Sequence, residues 1–476
     1  MGDAVMKRCL SLLLLGAALA LTLAGCGAKK DVLTEPPQLT VTNAQGVNVT
    51  AMGGIYDWDY DLGNGQRSGA IACGMHPLDE TLRDSTPALP ISNLVSLASY
   101  YTATLDFGAH APQFVSVRFW NELCWGDTEA KAETMTADRQ GDGTYGLVLS
   151  PSIGVYAVDA GWDTEDYKGT ATYTFCTKAA GAEELPYSKT YSFGGEAPVK
   201  SLDISWLSGG VSVEAHGQIG EITVVERSDR MLAEDETLTF RLDADSDGRT
   251  LHIGFMKSDR FDGEKYLTVY VPWELVKDGL LEEVDIETTS AYAHVSADAA
   301  RKIDISTLSG DARVMCASCP EVEIETMSGN AGVVEGTWQS VSVSTTSGAV
   351  ELAGDAEEVE IETTSGAAEL NGRFGSADFS SVGGDLTLYA KSALRLDAKT
   401  TSGDLTIYLP EPDGFTLAHE TTSGALESAL TDREGTMLAC GDRSTHYTVP
   451  ALEGGGMSEL TVSAVSGGLT IESWRF

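Results

Sequence analysis

Thr400-Thr401-Ser402-Gly403-Asp404-Leu405-Thr406-Ile407 is the stretch that decides the fold, because its opening phrase keeps returning along the chain. Thr345-Thr346-Ser347-Gly348, Thr363-Thr364-Ser365-Gly366 and Thr421-Thr422-Ser423-Gly424 repeat it, and Thr307-Leu308-Ser309-Gly310 and Thr326-Met327-Ser328-Gly329 are near copies. With Ala291 of Thr288-Thr289-Ser290-Ala291 and Gly384 of Ser381-Val382-Gly383-Gly384, the fourth positions are separated by 19, 19, 19, 18, 18, 19 and 21 residues. A period near twenty marks a stacked repeat.

Each repeat reads as strand, turn, strand: Val322-Glu323-Ile324-Glu325-Thr326, then Met327-Ser328-Gly329, then Val333-Val334. One coil holds too few apolar residues to offset the entropy of ordering it, about 1–2 kcal/mol per residue. Stacking places Val over Val and Ile over Ile, at about 4.8 Å between paired strands. Eight coils would make a rod roughly 35–40 Å long on that spacing. At the corner, Gly is expected to permit a positive φ, and the hydroxyls to bond local backbone. Adjacent Thr residues point to opposite sides of a strand, so they form no single-faced Thr array of the kind that binds ice. Longer strands between Leu202 and Val271 are expected to cover one end of the stack. The tail Leu460 to Ile471 is expected to cover the other, after an irregular excursion from Asp432 to Gly456.

Outward from the repeat, residues 39–178 also alternate apolar and polar positions, as in Val115-Ser116-Val117-Arg118-Phe119 and Thr170 to Phe175. Turn signals at Gly63-Asn64-Gly65 and Gly141-Asp142-Gly143 separate the runs. Gly154 to Trp162 followed by Gly169 to Phe175 looks like the closing hairpin of an immunoglobulin-like module. The expected fold class is all-β: an N-terminal β-sandwich (immunoglobulin-like) at 39–178, a linker at 179–198, and a single-stranded β-solenoid or β-helix of about 18–21-residue coils at 199–476.

The first 25 residues read as a lipoprotein signal peptide: Lys7-Arg8, an apolar run from Leu10 to Leu23, then Leu23-Ala24-Gly25-Cys26. That run is shorter than the roughly 18–20 residues of a spanning helix. The last four residues resemble the bacterial lipobox, which implies a diacylated Cys26, a tether at 26–38 and an extracytoplasmic protein lipid-anchored to a bacterial cell membrane. Met6 is an alternative start to Met1. The chain carries 31 basic against 71 acidic residues, a net charge of −40. That balance argues against nucleic acid and suits solubility outside the cell or a cationic ligand.

Leu202-Asp203-Ile204-Ser205, Tyr266 to Pro272, Thr400 to Ile407 and Val465 to Ile471 together resemble a bacterial family of "putative adhesin" or β-strand-repeat domains of unknown function. The resemblance covers about residues 193–476 and implies an envelope location, in some members linked to stress from membrane-active peptides. It implies no catalytic residues.

Chemistry-bearing motifs are few. Asp243-Ala244-Asp245-Ser246-Asp247-Gly248 matches the first half of a Ca²⁺ loop, but the twelfth position is Gly254, so a hairpin turn competes with weak Ca²⁺ binding. Cys316-x-x-Cys319 is the only close cysteine pair; without two further ligands it reads as a local disulfide or two inert thiols at a coil corner. Gly141-Asp142-Gly143-Thr144-Tyr145-Gly146 leads into a strand, which argues against a dinucleotide site. The coil glutamates alternate with core residues as a solvated face would. The expected role is non-enzymatic binding, adhesion or envelope sensing, with a cell-wall glycan, a cationic peptide or a surface protein as partner. The alternatives are a carbohydrate-active β-helix enzyme and sequestration of cationic antimicrobial peptides.

Overall fold

The computed structural model describes residues 33–63, 66–91, 102–150, 153–179, 185, 187–194, 198–216, 220–244, 249–256, 261–277, 281–296, 300–428 and 444–474. The chain is all-β: among the described residues, two short 3-10 turns and the helix Trp273–Lys277 interrupt a succession of strands. The first module consists of two sheets. One orders strands Asn48–Thr50, Thr40–Asn43, Thr102–Asp106, Tyr145–Val148 and Ala137–Arg139; the other runs from Gln66–Ala72 through Met52–Gly63, Tyr167–Ala179 and Gly154–Asp163 to Phe114–Asn121 and Glu133–Met135. Their inward residues, among them Val41, Leu105, Leu147, Trp58, Phe119, Tyr156 and Phe175, share one core. The expected hairpin is present, with Val155 to Asp163 opposite Cys176 to Lys168 in antiparallel register.

From Val199 onward two series of strands stack, parallel and in register. In one series Ile305 lies beside Ile324, and Ile324 beside Val343. In the other Val295 lies beside Val314, and Val314 beside Val333. These side chains are all buried in one continuous core, each contributing about 1.5–3 kcal/mol. Polar residues between them face outward, so Glu323 and Glu325 alternate with Val322 and Ile324 as the sequence predicts.

The corner hydroxyls bond local backbone as expected, but the glycine works differently from the expectation. Thr345, Thr363 and Thr400 are buried, and the Oγ1 accepts a hydrogen bond from the Gly N–H three residues on, at 3.0 Å for Thr345–Gly348 and 2.8 Å for Thr400–Gly403. The Ser hydroxyl donates to the preceding coil, as from Ser309 to the Thr289 carbonyl at 3.2 Å. The corner glycines do not adopt a positive φ. Gly is needed because the preceding coil leaves no room: a Cβ on Gly348 would lie 1.7 Å from the Gly329 carbonyl oxygen, and one on Gly403 1.9 Å from that of Gly384.

Both ends of the stack depart from chain order. The first strand, Val199–Trp206, lies between Arg249–Gly254 and Glu283–Thr288, parallel to both. Its companion Gly209–His216 lies between Lys265–Pro272 and Tyr292–Ser296. At the other end, Met457–Ala464 is inserted between Arg395–Thr400 and Gly414–Thr421. Leu469–Trp474 fills the equivalent place between Leu405–Pro410 and Leu426–Ser428. The tail is therefore an internal coil rather than the terminal cover expected of it: all coils offer equivalent edges, and the excursion gives the chain slack to turn back. The outer coils are covered instead by antiparallel strands, Thr239–Ala244 and Ile222–Ser228 at one end and Ser444–Val449 at the other.

The N-terminal cover contains a fully buried ion pair, with Lys265 Nζ 2.6 Å from Glu226 Oε1 and both side chains 0% exposed. Lys265 also donates to the carbonyls of Glu236, at 2.8 Å, and Phe255. The rings of Trp206, Phe255 and Phe261 surround the ammonium. Glu226 accepts from the Leu238 N–H at 2.8 Å and from the Tyr191 hydroxyl at 3.3 Å. Burial outweighs Glu226 and holds the Lys265 pKa below its ordinary value.

Candidate binding site at the seam between the two domains

The first module rests on the outward face of the early coils. Its contact is the corner where strand Phe114–Asn121 ends and the 3-10 turn Glu122–Cys124 begins. The Asn121 side chain caps that turn by accepting from the Leu123 N–H at 2.9 Å. This turns the Glu122 carboxylate toward the second domain, where Oε1 receives Arg227 Nη2 and, at 2.7 Å, the Tyr270 hydroxyl. Arg227 also donates to Thr268 at 3.2 Å. Burial works against the Arg227 charge, but Glu122 and Tyr270 outweigh it and raise its pKa. Burial, then Glu122, pushes the Tyr270 hydroxyl well above the usual tyrosine value. Met315 packs against the module's core from the coil side.

Cavities flank this contact. The larger, of about 920 Å³, lies on the side of the strand starts. Its floor holds Ser212, Glu214, Arg227 and Tyr270, with Ser212 donating to Glu214 at 2.7 Å. Trp125 and Arg83 of the module face Tyr266, Tyr292 and Asp311 of the coils across it. The smaller, of about 290 Å³, lies beyond His216 toward the strand ends, with Glu133 of the module opposite Trp273 and Glu335. Burial raises the Glu133 pKa.

Alongside, the outward column Ser212–His294–Arg313 runs across three coils. His294 is only 3% exposed, its ring nitrogens meet no hydrogen-bond partner, and burial, then Arg313, pushes its pKa down to about 3. It is therefore a neutral ring packed in the seam. Two coils further on in the same column, burial and then Glu369 raise Glu351 to about 7.

The motifs singled out from sequence lie elsewhere. Asp243 sits on a strand antiparallel to Arg249–Gly254, as the hairpin reading expects, and its carboxylate meets Arg241 at 2.8 Å and His252 at 3.2 Å. Asp245 and Asp247 lie outside the described residues, as does Cys26. Among the described residues no cluster of three or more His, Cys, Asp or Glu side chains could hold a metal ion. Cys316 and Cys319 stand side by side, both buried and joined by a thiol hydrogen bond. The hydrogen bond from Cys316, then burial, raises the Cys319 pKa. No helix among the described residues is long and apolar enough to cross a membrane.

Sequence reading missed Glu122, Arg227 and Tyr270, which lie far apart in the chain. A signal was present: Glu226-Arg227 interrupts Ile222-Thr223-Val224-Val225 with adjacent charges on an otherwise apolar strand. Charges in such a run either pair in the core or reach an interface, and here Glu226 does the first and Arg227 the second.

The family described as Toastrack DUF4097 matches residues 199–472. Among solved structures the chain is similar to a "putative adhesin" from Bacteroides fragilis, at 12% identity over 60% of this chain and 97% of that one, TM-score 0.31. It is similar to another from Parabacteroides merdae at 14% identity over 61% and 96%, TM-score 0.28. A third, a "putative lipid binding protein" from Parabacteroides distasonis, has 13% identity over 60% and 97%, TM-score 0.31. No curated protein matches the sequence.

Proposed function

The chain belongs to the Toastrack DUF4097 family, and on that premise we propose that it is a bacterial surface protein, lipid-anchored through Cys26, that binds a ligand without turnover where an N-terminal sandwich meets a rigid β-solenoid. The observation that carries this is the 920 Å³ cleft lined by polar groups already hydrogen-bonded to one another, Arg227 to Glu122 and Ser212 to Glu214. Arg227 and Tyr270 have pKa values raised away from neutrality, so neither exchanges a proton readily near pH 7. Such a floor is preorganised for recognition, and Trp125, Tyr266 and Tyr292 add flat apolar surface above it.

The test uses the full chain carrying Cys26→Ser, which also reports on the anchor. That variant should leave the membrane fraction; continued retention refutes lipidation. The soluble protein is then titrated calorimetrically against cell-wall glycans and cationic peptides, with product analysis by mass spectrometry. Saturable binding that weakens at least tenfold in Trp125→Ala or Tyr266→Ala, with ligand recovered intact, is the expected result. Ligand cleavage, or binding unaffected by both substitutions, refutes the reading.

A further inference from the structure

The larger cleft opens onto the coil corners. Ser208, Ser290 and Ser309, the third residues of successive corner phrases, belong to its lining. Beyond Ser309 the corners continue in file, each joined to its neighbour through the backbone. The Ser328 N–H donates to the Leu308 carbonyl, that of Ser347 to Met327 and that of Ser365 to Thr346. Seven such steps lead from Ser309 to Ser423. At about 4.8 Å each they make a track about 34 Å long. One wall of the cleft therefore runs on along the rod.

The chemistry of this file restricts its ligand. From Thr289-Ser290 to Thr422-Ser423 the second and third corner positions are exposed, and none is charged, in a chain of net charge −40. Each serine hydroxyl donates to a carbonyl of the neighbouring coil, at 3.1 Å for Ser290 and 3.2 Å for Ser402. With its hydrogen so engaged, the Oγ can only accept from a ligand. The serines thus form a row of acceptors at coil spacing, with Gly383 as its one gap. Asp311, Asp385 and Asp404 flank the row, each accepting from a neighbouring coil's N–H at 2.7–2.8 Å, and their second oxygens add acceptors. Beside the serines, hydroxyls at Thr346 and Thr364 alternate with apolar surface at Leu308, Met327 and Val382.

An anionic chain is repelled by the net charge. A cationic chain finds closer-set carboxylates on the outward strand face, where Asp285, Asp304 and Glu323 follow one another coil by coil. A neutral polyhydroxylated chain donates to the acceptor row and lays its C–H surface on the apolar positions. At the cleft it also meets aromatic surface. The Tyr292 ring crosses Gly210, where a Cβ would lie 2.2 Å from it, and Trp125 lies opposite.

We propose that the ligand of the larger cleft is a neutral linear polysaccharide. Its end rings seat between Trp125 and Tyr292, and its following units run along the serine file toward Ser423. This rests on the reading of the cleft as a binding site and adds the ligand class and the track.

The test is calorimetry of the full chain carrying Cys26→Ser against β-1,4-linked N-acetylglucosamine, β-1,4-glucan and mannan oligomers, from disaccharide to octasaccharide, with polygalacturonate oligomers as the anionic control. For at least one neutral series the octasaccharide should bind at least tenfold more tightly than the disaccharide, and polygalacturonate should not bind. Thr346→Lys combined with Thr364→Lys, at exposed corner positions, should bring the octasaccharide down to the affinity of the disaccharide. Trp125→Ala should weaken both lengths at least tenfold. Affinity independent of length, or a gain with length that survives the double substitution, overturns the track while leaving the cleft as a site for a small ligand. Equal binding by polygalacturonate overturns the neutral class. Failure of every neutral oligomer overturns the proposal outright, whereas saturable binding of a cationic peptide lost in Trp125→Ala would leave the cleft standing without it.

Discussion

Replacing Lys265 by Met tests the end cover most directly. The substitution preserves length and apolar volume but removes the ion paired with Glu226, in a place where both side chains are 0% exposed. An uncompensated buried carboxylate costs about 3–5 kcal/mol. The Glu236 and Phe255 carbonyls lose their donor as well, each worth about 0.5–1.5 kcal/mol. Lys265→Met should therefore destabilise the repeat domain by about 4–8 kcal/mol, close to the whole stability of many domains. Glu226→Leu alone strands the ammonium and should cost a similar amount. The double variant removes both charges and should cost markedly less than the sum, the deficit being the coupling between them. Urea unfolding at pH 7, followed by tryptophan fluorescence, gives all three values. A single-variant cost under about 1 kcal/mol, or strict additivity, would falsify the account of the pair as a mutually dependent buried ion bridge.

Three further expectations concern the coils and the seam. Gly348→Ala puts a Cβ 1.7 Å from a neighbouring carbonyl oxygen, whereas Gly383→Ala meets nothing nearer than 3.6 Å. The first should lose at least about 1–3 kcal/mol and the second almost nothing, so similar melting temperatures for the two would refute the close-approach explanation. Burial, then Asp304 and Asp203, raises Asp285 to about 6. Its folded pKa lies above the unfolded one, so its stabilising contribution is full below about pH 4 and is lost as pH rises through about 6. Asp285→Asn should flatten that loss between pH 4.5 and 7.5, and an unchanged slope of urea midpoint with pH counts against it. Glu122→Ala leaves Arg227 and Tyr270 without their shared acceptor, and should raise the radius of gyration and speed proteolysis within 179–198; unchanged scattering and cleavage would show that the seam is held by other contacts.

How much of this was legible in the sequence follows from how local each device is. The corner phrase contains its own hydrogen bond, from Gly348 to Thr345 three residues earlier, so it shows in a short window and fixes the period. The reason for its glycine was misread because the obstacle is Gly329, in the preceding coil. The placement of Met457–Ala464 was not legible, since Leu460 and Val462 fit beside Leu396 and Ala398 on one side and beside Leu417 and His419 on the other. Periodicity identifies a coil without giving its place in the stack. The Ca²⁺-like aspartate run was half answered by a residue outside the motif, His252, which faces Asp243 across the hairpin. The seam depends on Glu122 meeting Arg227 and Tyr270, and no local pattern contains that meeting.

The burial of both end strands within the stack has a mechanical meaning. Tension transmitted through the linker meets first the edge strand Tyr187–Phe193, paired antiparallel with Ile222–Ser228, and then Val199–Trp206, which is hydrogen-bonded along both edges, to Arg249–Gly254 and to Glu283–Thr288. The last strand, Leu469–Trp474, is held in the same way between Leu405–Pro410 and Leu426–Ser428. Once the N-terminal edge strand has peeled away, a pull on either end must break two ladders together. A protein tethered at one end and gripped at the other would on this plan give up one edge strand and then resist force as a clamp does, so that flow or traction at a surface would be stopped at the first coil.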